Sequence, residues 1–135
     1  METGAISFRK AIEQDSGSIN QLVALYPNDL SQSHIPPYQD FFVAVDDGRV
    51  IGCCALEILY KVGEDRPRLA EIRSLSVRPE YQRRGIGNNL VLLCKGRAKE
   101  ANVYEVVAIT GALRLFEKVG MRTTNGAKYA VFEVL

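Results

Sequence analysis

At 135 residues the chain holds one domain and hardly two, and a chain of this size buries roughly two thirds of its unfolded surface. Apolar residues make up 47% and charged residues 24%, which argues against a disordered or fibrous protein. Seventeen basic against 16 acidic residues leave a formal charge of +1, without the dense basic field of non-specific nucleic-acid binding. The longest apolar stretch, Val50 to Tyr60, falls far short of the ~20 residues of a membrane span. Met1-Glu-Thr-Gly-Ala has neither a basic nor an apolar leader segment, so no secretory signal is read there. The cysteines are Cys53, Cys54 and Cys94: an odd set, two of them adjacent, with no C-x-x-C spacing and a single histidine, His34. No metal site is expected from that set, and a reducing, cytoplasmic setting is the simple reading.

Taken in chain order, Ile6 to Ala11 predicts a first strand. Asp15 or Ser18 is placed to cap the helix that follows, Ser18-Ile-Asn-Gln21 fitting a capping box. Ile19, Leu22, Val23 and Tyr26 recur at helical spacing until Pro27. Residues 27–39 read as a polar loop with one helical turn around Leu30 to His34. Phe41 to Val45 and Arg49 to Tyr60 predict a hairpin about the turn Asp46-Asp-Gly48. Lys61 to Arg68 is a second turn, and Leu69 to Val77 a further strand ended by Pro79. From Gly85 the period changes: Ile86, Leu90, Leu93, Cys94, Ala98 and Ala101 share one helical face, and Asn102 ends it. Val103 to Ile109 predicts a buried strand. Leu113, Phe116 and Val119 mark a short helix closed by Gly120. Met121 to Leu135, with Asn125-Gly126, closes the chain as a strand pair. The order β α β β β α β α β β implies a mixed sheet with helices on its faces.

The chemistry concentrates in Val77-Arg-Pro-Glu-Tyr-Gln-Arg-Arg-Gly-Ile-Gly87. A strand ends, a loop turns, and Gly85 and Gly87 open a helix. Glycines admit close backbone approach, and a helix start presents N–H groups without intrahelical partners. With the helix dipole and the charges of Arg83 and Arg84, this is an anion site suited to a pyrophosphate. A plain strand-to-helix turn is the competing reading. No Gly-Lys-Ser/Thr follows, and the third glycine of a dinucleotide fingerprint is missing.

Gln82-Arg-Arg-Gly-Ile-Gly87 resembles the Q/R-x-x-G-x-G/A signature of the GNAT superfamily of acetyl-CoA-dependent N-acetyltransferases. Ala70 to Val77 looks like that family's fourth strand, and Leu115-Phe-Glu-Lys-Val-Gly-Met121 like its Y/F-E-K-x-G-F segment. The three stand in order at family spacing, and the resemblance covers nearly the whole chain. It implies an α/β fold in one domain, residues 1–135. The GNAT sheet would be mixed and mostly antiparallel, with about six or seven strands flanked by about four helices. It also implies acetyl-CoA as cosubstrate, with no metal, and direct attack by a primary amine in a ternary complex. Backbone amides from Arg83 and Arg84 through Gly85, Ile86, Gly87 and Asn88 would cradle the CoA pyrophosphate beside Gln82. The backbone of Leu75, Ser76 and Val77 would pair with the pantetheine arm as an added strand. In the family the fourth and fifth strands splay, and a backbone N–H in the gap polarises the acetyl carbonyl.

An ammonium acceptor must lose a proton before attack. Glu71 stands eleven residues before Gln82, at the strand position of the catalytic glutamate in the histone-acetyltransferase branch. It is the candidate general base, directly or through a water. Arg73 lies on the same strand face about 6–7 Å further along. It is a candidate for gripping an acceptor's carboxylate, with a plain Glu71–Arg73 ion pair as the alternative. The acceptor is then a small metabolite amine, an amino acid such as glutamate. Peptide-amine acetylation and a non-catalytic acyl-CoA-binding regulatory role are the rivals. Phe116 occupies the place of the family's thiolate-protonating tyrosine, beside the cofactor, and cannot donate; Gly111-Ala112 replace a frequent asparagine. Parts of the motif set also resemble short, single-domain N-acetylglutamate synthases. Cys53 and Cys54, one facing each side of the strand, read as small core or surface residues, and Cys94 as core. His34 is a loop histidine, either solvated or touching the acceptor. The apolar Tyr129 to Leu135 segment permits homodimer formation.

Overall fold

The computed structural model describes residues 5–27, 34–59, 69–110, 112–123 and 130–135, with the single positions 63, 65 and 67. Its strands are β1 (Ser7–Lys10), β2 (Phe41–Asp46), β3 (Arg49–Leu59), β4 (Leu69–Val77), β5 (Glu105–Ile109), β6 (Arg122–Thr123) and β7 (Ala130–Val134). The α-helices are α1 (Ser16–Ala24), α2 (Ile86–Glu100) and α3 (Leu113–Lys118), with 3-10 turns at Glu13–Asp15, Tyr38–Asp40 and Pro79–Tyr81. The strands form one seven-stranded sheet in the order β1-β2-β3-β4-β5-β7-β6. Neighbours are antiparallel except β4 and β5, which run parallel. A parallel pair needs a long crossover, and α2 supplies it. The expected element order and mixed sheet hold; the described residues carry three α-helices where about four were expected. None of the described helices is long and apolar enough to cross a membrane.

Alternation along the strands feeds two cores. Phe41, Val43, Cys53 and Ala55 face one side with Ile19, Leu22 and Val23 of α1. Phe42, Ala44, Cys54, Leu56, Ala70 and Ile72 face the other with Ile86, Leu90, Val91, Cys94 and Ala98 of α2. The adjacent cysteines thus point into opposite layers, as period-two alternation requires. Between β2 and β3 the turn residues Asp47 (φ 51°) and Gly48 (φ 76°) both take left-handed backbone, the type I′ geometry that Asp-Gly favours.

Two boundaries differ from expectation. α1 starts at Ser16, so Ser18 lies inside the helix and no capping box forms at Ser18-Ile-Asn-Gln21. Asp15 does not cap α1 with its side chain either. Its carboxylate is taken by Arg9, at 2.6 and 3.1 Å, and by the Ile12 N–H at 2.8 Å, which closes the preceding 3-10 turn. The fifth strand begins at Glu105 rather than Val103, because the Val103 N–H turns back to the Ala98 carbonyl behind α2. The helical turn expected around Leu30, most of the Lys61 to Arg68 turn, Gly111, the Asn125-Gly126 turn and Tyr129 lie outside the described residues.

Arg9 holds the buried Asp15 carboxyl below its ordinary range, through the hydrogen bond first, with burial opposing. A carboxyl depressed by folding contributes stability that is complete above its unfolded value and is lost as pH falls through the folded one. Asp15→Asn is therefore expected to lower the melting temperature at pH 7 and to narrow the gap to wild type below pH 3.8. Melts at pH 7, 4 and 3 check this.

Candidate active site

The site is set by an irregularity in β4. Cys53 pairs with Ser76 but Ala55 pairs with Arg73, so β4 holds one residue more than β3 across this interval. The extra residue is accommodated at Ser74, buried and left-handed at φ 57°. Such a bulge reverses the facing of the residues beyond it. Ala70 and Ile72 face the α2 layer before it, and Leu75 and Val77 face that same layer after it. Glu71 and Arg73 are left together on the opposite face.

The β4–β5 ladder then stops. Its registered pairs are Leu69 with Glu105, Ala70 with Val106 and Glu71 with Val107, while β4 continues to Val77 and β5 to Ile109. The strands part beyond Glu71. A small cavity of about 60 Å³ fills the gap, between Ile72, Arg73 and Leu75 on one side and Ile109, Thr110, Ala112 and Phe116 on the other. Thr110 Oγ1 accepts the Ala112 N–H at 2.9 Å, fixing the turn into α3.

A larger cleft of about 610 Å³ opens next to it. Its walls are the end of β4 (Leu75, Ser76, Val77), the loop into α2 (Tyr81, Gln82, Arg83, Gly85, Ile86, Gly87, Asn88), Tyr26, and Ala112, Leu115 and Lys118 around α3. Leu75 and Ala112 wall both cavities, so the cleft and the gap lie side by side. Gly85 precedes α2 with φ 79°, after Arg83 at φ 64°. The ladder of α2 begins with the Asn89 N–H on the Gly85 carbonyl at 3.1 Å. The amides ahead of Asn89 thus precede that ladder on the cleft wall, at the positive end of a 15-residue helix. A side chain at position 85 would be strained by its backbone whatever space it found. Gly85→Val is expected to weaken CoA binding at least tenfold and to cost about 1–2 kcal/mol of stability; calorimetric titration and a denaturant melt check the two parts.

The loop is braced from several sides. Tyr81 donates its hydroxyl to Asp46 Oδ2, and the Arg84 guanidinium lies over the Tyr81 ring, 5.1 Å from its centre. Tyr26 donates to the Val77 carbonyl and accepts from Gln82 Nε2 at 2.7 Å. Gln82 Nε2 also reaches the Val77 carbonyl at 3.3 Å. Burial holds the Tyr26 phenol above its ordinary range.

On the opposite face of β4, Arg73 Nη1 donates to Glu71 Oε2 at 2.8 Å, and both side chains are largely buried, 10% and 14% exposed. The internal ion pair weighed against a carboxylate grip is the one present. Arg73 Nη2 reaches the His34 carbonyl at 3.4 Å. His34 Nε2 lies 3.0 Å from Glu57 Oε2, and Glu57 stands directly across from Glu71 in the β3–β4 register. His34, half exposed, therefore belongs to this cluster.

Of the expected cofactor residues, Leu75, Ser76, Val77, Gln82, Arg83, Gly85, Ile86, Gly87 and Asn88 meet on the large cleft. Arg84 stacks beside it on Tyr81. Phe116 is buried in the α2-side core and walls the small gap rather than the large cleft. Tyr26 and Glu57 escaped sequence reasoning. Tyr26 showed only as the end of an apolar helical stripe, and Glu57 only as a polar break in a strand. The cysteines are all buried; burial pushes the Cys53 thiol up to about 12 and that of Cys54 upward too, the reverse of an activated nucleophile.

A glycine-opened helix start and a parted pair of parallel strands are the features the resemblance led one to expect, and the chain belongs to the acetyltransferase (GNAT) family: residues 10–121 match the family's profile. Among curated proteins it is 42% identical over 84 residues to an uncharacterized N-acetyltransferase of Chlorobaculum tepidum, a match covering 62% of this chain and 50% of that protein. It is 29% identical over 126 residues to an amino-acid acetyltransferase of Mycobacterium tuberculosis, covering 87% of this chain and 69% of the other. The chain thus spans half the length of the first relative. A Mycobacterium tuberculosis protein solved in complex with CoA superposes with a TM-score of 0.77 at 27% identity, over 90% of this chain and 75% of that one. An N-acetylglutamate synthase of Neisseria gonorrhoeae, solved with CoA and N-acetyl-glutamate, superposes with a TM-score of 0.80 at 19% identity. That alignment covers 99% of this chain and 36% of the synthase, and it speaks to fold alone.

Proposed function

We propose that this chain moves the acetyl group of acetyl-CoA to the primary amine of a small metabolite, an amino acid, by direct attack in a ternary complex. The observation that carries the reading is that the anion-seeking cleft at α2 adjoins the gap between β4 and β5, with Leu75 and Ala112 as common walls. The pyrophosphate would sit on the amides from Arg83 to Asn88, with Gln82 and Lys118 beside it. The pantetheine arm would run along Leu75 to Val77, and its contact at the Val77 carbonyl would displace or share the bonds from Tyr26 and Gln82. The acetyl group would then reach the gap, where a β4 amide released from the ladder polarises its carbonyl.

Glu71, where the ladder ends, would take the proton of the incoming ammonium. The freed amine attacks the acetyl carbon, the carbon–sulfur bond breaks, and CoA leaves. Phe116 offers no proton, and the Tyr81 hydroxyl is given to Asp46. A thiol of pKa ~8.5 leaves tolerably as the thiolate, so a general acid is dispensable. The amino-acid acceptor is supported by Arg73 beside Glu71 and by the relative named for amino-acid acetylation. The test is acetyl-CoA turnover against the twenty L-amino acids, read by mass spectrometry. Selective acetylation of one amino acid supports the reading, and glutamate alone would place the chain with the synthases. Acetylation of peptide amines only, or acetyl-CoA binding with no transfer to any amine, overturns it in favour of a peptide acetyltransferase or a non-catalytic acyl-CoA-binding domain.

A further inference from the structure

The general base of the proposed reaction already has a partner. Glu71 Oε2 accepts from Arg73 Nη1 at 2.8 Å, and neither side chain is more than one-seventh exposed. An oxygen that already accepts a guanidinium N–H has that lone pair taken and is poorly placed to receive an ammonium proton. Further carboxylates lie around the pair, with His34 rather than Arg73 on Glu57. Glu57 stands across from Glu71, and Asp40 is held above its ordinary range by burial and then by the Glu57 charge. Arg73 also borders the gap in which the acetyl group would lie, so an acceptor's carboxylate can approach it from that side.

Resting on the amino-acid reading above, we infer that the acceptor's own carboxylate switches on the base: it takes Arg73 from Glu71 and thereby frees Glu71 to accept the proton of the acceptor's ammonium group. The order is an exchange of salt bridges and then transfer. The acceptor's carboxylate pairs with the Arg73 guanidinium, and Glu71 turns to the adjacent ammonium and takes one proton. The amine nitrogen's electron pair then forms the amide bond as the thiolate departs with the carbon–sulfur pair. The second nitrogen proton goes to solvent. The carboxylate is thus a requirement for the rate as well as for binding, and selectivity for amino acids over plain amines arises from the same two residues.

Rate and binding separate the idea from simple recognition. A carboxylate that only anchors the acceptor affects KM, and its loss is overcome by saturation. A carboxylate that frees the base affects kcat even at saturation, by about ten- to a hundredfold within the range of general-base contributions. Wild type is assayed with its best amino acid and with the matching amine that lacks the carboxylate, each to saturation. The plain amine is assayed again with added formate or acetate to occupy Arg73 in trans. The expected result is a kcat at least tenfold lower for the plain amine, partly restored by formate. In Arg73→Met the plain amine should react faster than in wild type and formate should do nothing. Equal kcat values for the two acceptors, or no effect of formate on wild type, overturn the inference while leaving amino-acid acetylation standing. Because the formate experiment uses wild type alone, a misfolded Arg73 variant does not spare the idea. Absence of turnover with any amine, with CoA binding intact, overturns the underlying reading and the inference with it.

Discussion

Glu71→Gln is expected to lower kcat for acetyl transfer by about two to four orders of magnitude, the range of a positioned general base. Acetyl-CoA affinity should stay within about twofold, because the cleft at α2 lies on the other face of β4. Glutamine keeps the shape of glutamate and can still accept from Arg73 Nη1 through its amide oxygen, so the 2.8 Å contact need not be lost. What it cannot do is take a proton. The defect should shrink as pH rises toward the acceptor amine's own value, where the amine arrives already deprotonated, and a pH–rate profile of both proteins gives this signature. A merely structural Glu71 would show an unchanged profile shape and a lowered melting temperature. A loss below tenfold with a parallel profile would remove Glu71 from the chemistry.

Lys95→Met is expected to have the largest effect on stability, about 2–3 kcal/mol. Lys95 is only 10% exposed, yet its ammonium group sits 2.6 Å from Glu133 Oε1 and donates to the Val119 carbonyl. One side chain of α2 thus closes the end of α3 and ties it to β7. Removing the cation strands a carboxylate and a carbonyl, which costs more than the pair contributes relative to apolar packing. Glu133 is 24% exposed, so the cost belongs at the lower end of values for breaking a buried pair. A fall of about 10 °C in Tm is the corresponding shift for a domain of this size. Lys95→Met with Glu133→Leu should recover most of it, since two apolar groups then replace two charges. Failure of the double variant to recover would show that the shape of the lysine, not its charge, holds α3.

Much of this architecture is legible in local signals. The Asp-Gly turn, the change of period at Gly85 and the branched run before Ile109 each report a backbone preference confined to a few residues. The glycine loop is legible for the same reason: the anion-binding physics of a helix start needs only the neighbours of Gly85. The bulge at Ser74 is not, because an extra residue exists only relative to a partner strand, and Ser74 carries no turn signal of its own. The pairing of Glu57 with Glu71 depends on that register, and the bond from Tyr26 to Val77 joins positions 51 residues apart. Asp15 shows the opposite failure. Its type suits a helix cap, but Arg9, brought near by β1, outcompetes the helix for its oxygens. The Glu71–Arg73 geometry is half legible: alternation places both side chains on one face, while only the packed structure shows them joined.

The opposed facing of Cys53 and Cys54 makes the chain its own reporter of breathing motions. Cys53 is sealed beneath α1, and Cys54 beneath α2 with Cys94. A thiol reagent can modify them only in molecules whose covering layer has lifted. Single-cysteine versions retaining Cys53 or Cys54 would therefore label at rates set by the opening of one layer or the other. If α2 alone is clamped when CoA occupies the cleft, the Cys54 rate falls with ligand while the Cys53 rate holds. Two neighbouring residues on one strand would then time the fluctuations of the α2 layer and the α1 layer separately.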